Sequence, residues 1–158
     1  VTLSAFSFGV YDGSENLATS YNGVARVTLE KANIAQPEPV IAGGDSVDVV
    51  NGVATWNGLV ITSAGQYRIV ADFGPVLGTY VSGIITIAPG GPAQLLKAGG
   101  DVQAAQVTQY TAEPLRVRVT DAYGNGVSGV NVNWGVIGGS ATLGAVTVPS
   151  NDSGYVSN

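Results

Sequence analysis

Oxygen-bearing side chains gather in two places along the sequence, at Asp12, Glu15 and Asn16 and again at Asp121 and Asn125. Carboxylate and amide oxygens from one loop are ligands that Ca²⁺ accepts, so each cluster is a candidate calcium site. Asp and Asn also close turns by accepting hydrogen bonds from nearby backbone N–H groups. Because the second cluster offers only one carboxylate, turn capping is the favoured interpretation. Calcium is the alternative, and no other cofactor is expected.

The residue types that most enzymes use for catalysis are missing. Histidine, cysteine and methionine do not occur in the chain, which excludes imidazole bases, thiol nucleophiles and soft-metal sites. Eleven acidic residues are present, but none stands in a motif, and most fall in turns or at outward strand positions. We therefore expect no catalytic residues and predict that the chain is not an enzyme.

Aromatic side chains could bind sugars by stacking. Six tyrosines are dispersed over predicted turns rather than aligned on one strand face: Tyr11, Tyr21, Tyr80, Tyr110, Tyr123 and Tyr155. Trp56 and Trp134 fall at inward strand positions, where a tryptophan often fills the core of a sandwich. Core packing is the favoured role of both tryptophans, and carbohydrate binding is an alternative function.

Charge and hydropathy exclude two classes of partner. The net charge is −5, and the six Lys and Arg residues stand singly, so no basic stripe can follow a nucleic acid backbone. No apolar run approaches the roughly 20 residues that cross a bilayer. We therefore expect no nucleic acid partner and no membrane span in this segment.

The alternation of apolar and polar residues predicts an all-β fold without a helix longer than about two turns. Residues 23–30 and 67–73 alternate with period 2, and Asn51-Gly52 between two such segments signals a hairpin. Six strands spaced in this way before residue 89 are typical of a sandwich. Two cores are expected, one with Phe6, Phe8, Val10, Val27 and Tyr67 and one with Leu115, Val117, Val119, Val132 and Trp134.

One strand–turn–strand unit occurs twice. Residues 6–16 align without a gap with residues 115–125, and both copies run from an alternating strand into an Asp-x-x-x-Asn turn. A second alternating strand follows in each, from Gly23 to Glu30 and from Gly129 to Val136. This repetition predicts two modules of the same kind.

Pro89-Gly-Gly-Pro92 separates the two modules, since it is poor in strand formers and lacks two backbone donors. We predict a β-sandwich at 1–89 without a first strand, a linker at 90–92, and a second module at 93–158 without its last strands. Val136 and Leu143 should then be partly exposed. Truncation of the second module is the favoured interpretation, and donation of strands by a neighbouring chain is the alternative.

Residues 93–158 resemble a bacterial immunoglobulin-like domain of the invasin/intimin adhesin type. The resemblance rests on the segment EPLRVRVTDAYGNGVSGVNVNW at 113–134, on GSATL at 139–143 and on DSG at 152–154. Residues 1–89 look like a related repeat through VNGVATWNGL at 50–59 and AGQY at 64–67. The resemblance implies tandem immunoglobulin-like sandwiches in an extracellular, cell-surface protein, where they display a binding tip and carry no defined active site.

Three functions follow as expectations. The first is a structural spacer of an adhesin, whose partners are neighbouring immunoglobulin-like modules and, through the displayed tip, a surface receptor or glycan. The second is a subunit of an extracellular filament, surface layer or phage particle that neighbouring chains complete. The third is a carbohydrate-binding accessory module of a secreted enzyme.

Overall fold

The computed structural model describes residues 2–33, 35 and 38–158, and the regular elements within them are all β-strands. The prediction of an all-β fold is therefore confirmed. By contact, the chain divides into two compact units, Val1–Ala88 (unit 1) and Pro89–Asn158 (unit 2). Unit 1 contains β1 (Phe6–Gly9), β2 (Gly23–Lys31), β3 (Ile41–Ala42), β4 (Ser46–Val50), β5 (Val53–Trp56), β6 (Val60–Ile61), β7 (Gly65–Asp72) and β8 (Thr79–Ile87). Unit 2 contains β9 (Gln94–Gly99), β10 (Arg116–Thr120), β11 (Asn131–Asn133), β12 (Thr147–Pro149) and β13 (Tyr155–Ser157).

Unit 1 is built on one six-stranded antiparallel sheet in the order β1-β5-β4-β2-β7-β8, with β3 and β6 forming a separate pair. Although β1 and β8 are opposite edges in this order, the ring of Phe8 in β1 lies 5.0 Å from that of Tyr80 in β8, centroid to centroid. The sheet therefore curls until its two edges approach each other. Its inner face encloses a core in the manner of a sandwich.

The core of unit 1 centres on Trp56, which is 1% exposed. Its indole stacks on Phe6 at 5.6 Å and meets Phe8 edge-on at 5.9 Å. Nine buried residues form this cluster: Val10, Ala25, Val27, Val49, Ala54, Trp56, Leu59, Ile69 and Ala71. The predicted positions of Phe6, Phe8, Val10 and Val27 are confirmed. Tyr67 is buried as well, but it belongs to a neighbouring cluster with Ile61 and Ile87.

The hairpin between β4 and β5 follows from its two central residues. Asn51 and Gly52 have φ angles of 51° and 78°, and positive φ at both positions is what the two-residue turn matching strand twist requires. Asparagine and glycine tolerate that conformation better than other residues. The hairpin that the sequence predicts at this point is therefore confirmed.

Unit 2 has a smaller core. Three strands pair in the order β13-β10-β9, and β11 pairs with β12 in a second sheet. Val119, Val132 and Val156 are its buried centre. Five further residues pack against them: Val117, Val127, Val130, Trp134 and Val148. The core positions predicted for Val117, Val119, Val132 and Trp134 are thus confirmed.

Leu115 is an exception, since 37% of its surface is exposed. The counterpart of Leu115 in unit 1 is Phe6, which stacks on Trp56 across the β1–β5 pair. The residue opposite Leu115 is Asn158, whose backbone exchanges two hydrogen bonds with it. A polar asparagine in place of the indole leaves Leu115 without an apolar cover, so its predicted place in the core was wrong.

Four strands of unit 2 repeat an arrangement found in unit 1. The backbone N–H of Val10 donates to the carbonyl of Gly52, and that of Val119 donates to the carbonyl of Gly154, both at 2.8 Å. The pair β10–β13 thus matches β1–β5, and β11–β12 matches β2–β4. Within the described residues, β11 pairs with β12 alone, whereas β2 pairs with both β4 and β7.

Candidate functional site

The first predicted oxygen cluster is a closed loop in which Asp12 is the acceptor. Its Oδ1 receives the backbone N–H of Ser14 at 2.8 Å and that of Asn16 at 2.9 Å. The N–H of Asp12 donates to the carbonyl of Asn16 at 2.8 Å, and Glu15 takes the left-handed conformation with φ 64°. The backbone bonds from Asn16 and Ser14 lower the pKa of Asp12. The loop is solvent-exposed.

The second cluster has the same loop with a buried carboxylate. Oδ1 of Asp121 receives the backbone N–H groups of Tyr123 and Asn125, each at 2.9 Å. Oδ2 receives the N–H of Gly90 at 2.9 Å and the side-chain amide of Asn125 at 2.8 Å. Burial alone would raise the pKa of Asp121, but the bonds from Asn125, Gly90 and Tyr123 outweigh it, and the pKa is lowered.

A third copy of this loop lies at Asn151–Tyr155, outside the two oxygen clusters that the sequence predicts. Oδ1 of Asn151 receives the N–H groups of Ser153 at 3.0 Å and Tyr155 at 2.9 Å, and its own N–H donates to the carbonyl of Tyr155. Gly154 has φ 82°, close to the 85° of Gly124 at the same position of the second loop. The signal that could have found it is a side-chain acceptor followed three residues later by glycine, shared by Asp121-x-x-Gly124 and Asn151-x-x-Gly154.

In all three loops the side-chain oxygen is used to close a turn. Each Oδ1 already accepts two N–H groups, whose positive ends point at the position that a cation would need. The part of the chain that the structure describes contains no group of three or more acidic, histidine or cysteine side chains placed to hold a metal. Calcium binding by Asp12, Glu15 and Asn16 or by Asp121 and Asn125 stays a prediction, which a calcium titration followed by melting temperature would test.

The aromatic residues proposed for sugar stacking occupy different environments. Tyr11, Tyr80, Tyr110 and Tyr123 are exposed by 54% to 93% of their surface, whereas Tyr21 and Tyr155 are half-buried. The ring of Tyr155 is covered by two guanidinium groups, those of Arg116 at 5.1 Å and Arg118 at 5.3 Å.

The two tryptophans pack inward, as the sequence predicts. Trp56 lies in the core of unit 1, and Trp134 packs against the valine core of unit 2. The indole nitrogen of Trp134 is buried, and no hydrogen-bond acceptor reaches it among the described residues. Trp56 is 1% exposed and so offers no face to a sugar ring, whereas Trp134 is half-buried.

The concave surface of most interest is a groove of about 360 Å³ in unit 2. It lies between the β9–β10 pair and β11, with Val119 and Val132 at its base and Leu95, Asn131 and Asn133 at its rim. Its lining combines aliphatic residues with Gln94, Asn131 and Asn133 and includes no charged side chain, which suits another polypeptide segment better than an ion. Sequence reasoning predicted an incomplete module but did not locate this groove, because its walls come from strands far apart in sequence.

The described residues include no helix of the length and hydropathy that a membrane crossing needs. Comparison of the chain with known protein families, with characterised proteins and with solved structures finds no match.

Proposed function

We propose that the chain is a pair of immunoglobulin-like spacer modules of a cell-surface adhesin or a similar extracellular protein, and that it holds a binding tip away from its anchor. The activity is mechanical and structural, so it needs no catalytic group. Antiparallel strands suit it, because their ladder hydrogen bonds are perpendicular to the strands, so a force along the strands loads several of these bonds together.

The observation that carries the proposal is the recurrence of one strand–loop–strand arrangement in both units. Asp12 in unit 1 and Asp121 in unit 2 close loops with the same hydrogen bonds. The bonds from Val10 to Gly52 and from Val119 to Gly154 join corresponding pairs of strands in the two units. Recurrence of one unit along a chain is typical of proteins that gain reach by stacking modules. The short Pro89–Pro92 segment suits this role, since proline restricts the backbone.

A subunit of a filament, surface layer or phage particle is the second candidate, and one observation favours it. The edge of β11 that corresponds to the β7-facing edge of β2 carries no strand in the described structure. An open strand edge is a place where a neighbouring subunit can add a strand.

Single-molecule force spectroscopy tests the spacer function. The full chain is pulled from its two ends between inert handles. A load-bearing unit 1 unfolds in one step that releases up to about 300 Å of chain, given its 88 residues and roughly 3.3–3.6 Å for each. Trp56→Ala, which empties the centre of that core, is the matched variant and should lower the force of this step.

Extension of wild-type unit 1 without a force step would contradict the spacer function. A glycan array and electron microscopy of the native particle discriminate the other candidates. Selective glycan capture by the full chain supports the carbohydrate-binding module, and an ordered assembly supports the particle subunit.

A further inference from the structure

We propose that the outer edge of β11, continued through residues 134–137, is a docking site for one antiparallel β-strand with the sequence pattern of β7, supplied from outside these 158 residues. The incoming strand would lie where β7 lies in unit 1 and would fill the groove beside Val119 and Val132. This inference goes beyond the spacer function and does not depend on it.

Unit 1 shows what covers the corresponding edge. The first part of β2, from Gly23 to Arg26, pairs with β4, and the part from Arg26 to Lys31 pairs with β7. Beyond Arg26, β7 is therefore the neighbour that holds β2 extended. In unit 2, Val132 pairs with Val148 as Ala25 of β2 pairs with Val47.

By this register, residues 133–138 of unit 2 correspond to residues 26–31 of β2. Regular strand ends at Asn133, although three of the next four residues, Trp134, Val136 and Ile137, favour strands. Val136 is 43% exposed and Ile137 is fully exposed. β11 ends at the position where, in β2, the pairing with β7 begins. The lack of a paired strand at this edge of β11 therefore accounts both for the end of β11 and for the exposure of Val136 and Ile137.

The direction of the backbone groups makes this edge available. Val130 accepts the N–H of Ser150, and Trp134 donates to the carbonyl of Val146, so these residues bond toward β12. Antiparallel ladders alternate, and the N–H and C=O groups of Asn131, Asn133 and Gly135 therefore point away from β12. They offer the donors and acceptors that an added strand requires.

The groove shows which side chains the strand should carry. In unit 1, Val10 and Ala25 correspond to Val119 and Val132, and they share their core with Ile69 and Ala71 of β7. The base of the groove in unit 2 is thus the surface that the inward residues of β7 cover in unit 1. Its occupant must be apolar at alternate positions.

The register also sets the size of each side chain that the incoming strand can carry. In β2 the partners of Val27, Leu29 and Lys31 are Ala71, Ile69 and Tyr67. The corresponding positions in unit 2 are Trp134, Val136 and Gly138. Because Trp134 is much larger than Val27, the residue opposite it must be small. The small Gly138 leaves room for an aromatic residue opposite. The order aromatic–x–aliphatic–x–small, which Tyr67-x-Ile69-x-Ala71 provides, therefore fits this edge.

The test uses the full chain and a fluorescent peptide with the sequence of residues 64–73. Fluorescence anisotropy should show saturable binding at one site, and amide shifts should map to Asn131, Asn133 and Gly135. Gly135→Pro removes an N–H from the outer edge and should weaken binding at least tenfold. Gly135→Ala is the matched control, since it keeps the N–H at the same position, and it should bind like the wild type. A Cβ at Gly135 meets no atom within 4 Å.

A second comparison requires no protein variant. Methylation of the peptide N–H groups that face the edge should abolish binding, whereas methylation of the alternate N–H groups should leave it. Binding that is insensitive both to Gly135→Pro and to methylation would overturn the proposal, and so would absence of binding. If the chain itself forms dimers and Gly135→Pro makes them dissociate, the edge binds a second copy of the chain. That result would also overturn the proposal.

Discussion

At the scale of single residues, Asp121 joins two segments of unit 2. Its carboxylate accepts the N–H of Gly90 near the start of the unit and two N–H groups of its own loop, and it is 3% exposed. Asp12 closes the same loop in unit 1 with an exposed carboxylate. The two residues therefore form a natural comparison between a buried and a solvated example of one interaction.

Asp121→Ala should lower the free energy of unfolding of unit 2 by about 2 kcal/mol, because partly buried N–H groups lose their acceptor. Native-state amide exchange at Val119 and Val127, whose N–H groups are both bonded within unit 2, measures this loss. Asp12→Ala is the control and should have a smaller effect on unit 1, because water replaces the lost acceptor. Equal losses in the two units would contradict the role of burial.

The stabilising effect of Asp121 should depend on pH. Its pKa is lower in the folded protein than the ordinary value of 3.8. A depressed folded pKa contributes stability that is present above the unfolded pKa and is lost as the pH falls through the folded pKa. The difference in stability between the wild type and Asp121→Asn should therefore be constant near neutral pH and should shrink below about pH 4. A difference that stays constant to pH 2 would show that the charge of Asp121 has no part in it.

The loops also show how far local sequence can predict a structure. Asp12 and Asp121 were identifiable, because each is followed by an asparagine four residues later. The loop at Asn151 has the same hydrogen bonds, but its fifth residue is Tyr155. The Asp-x-x-x-Asn pattern was therefore too narrow to find it. The fifth residue contributes its backbone N–H and C=O, which every residue except proline provides in full, and the side chain there does not decide the turn.

At the scale of elements, strands were predictable and their neighbours were not. Alternation places β2 and β7 correctly, because each side chain reports whether its position faces the core. Nothing in that alternation states that β2 lies between β4 and β7, or that β9 pairs with β10. Those pairings join residues far apart in sequence, and they depend on which faces must be buried together.

The two tryptophans give a prediction at this scale. Trp56→Ala should destabilise unit 1 by about 3–5 kcal/mol, since it removes a fully enclosed side chain from a cluster of three aromatic rings. Trp134→Ala should cost unit 2 less, about 1.5–3 kcal/mol, because Trp134 is only partly buried. Denaturant unfolding followed at unit-specific amide signals measures both. A larger loss at Trp134 would mean that the core of unit 2 is closed.

At the scale of the whole molecule, the two units differ in how fully they enclose their cores. Unit 1 surrounds its core with a curled six-stranded sheet, and nine buried residues form its main cluster. Unit 2 has three buried valines at its centre and a groove of about 360 Å³ beside them. Val136 is exposed and Leu143 is half-buried, which agrees with the partial exposure that the sequence predicts for both residues. A core this small is marginal without a further strand.

Residue-resolved amide exchange on the monomeric full chain tests this account most directly. In β2, Val27 bonds toward β4, so the N–H groups of Arg26 and Thr28 face β7 and should be protected. The corresponding N–H groups of Asn133 and Gly135 face an open edge, and they should exchange at least about a hundredfold faster. Protection of Asn133 and Gly135 equal to that of Arg26 and Thr28 would contradict the open edge, and the proposed docking site with it.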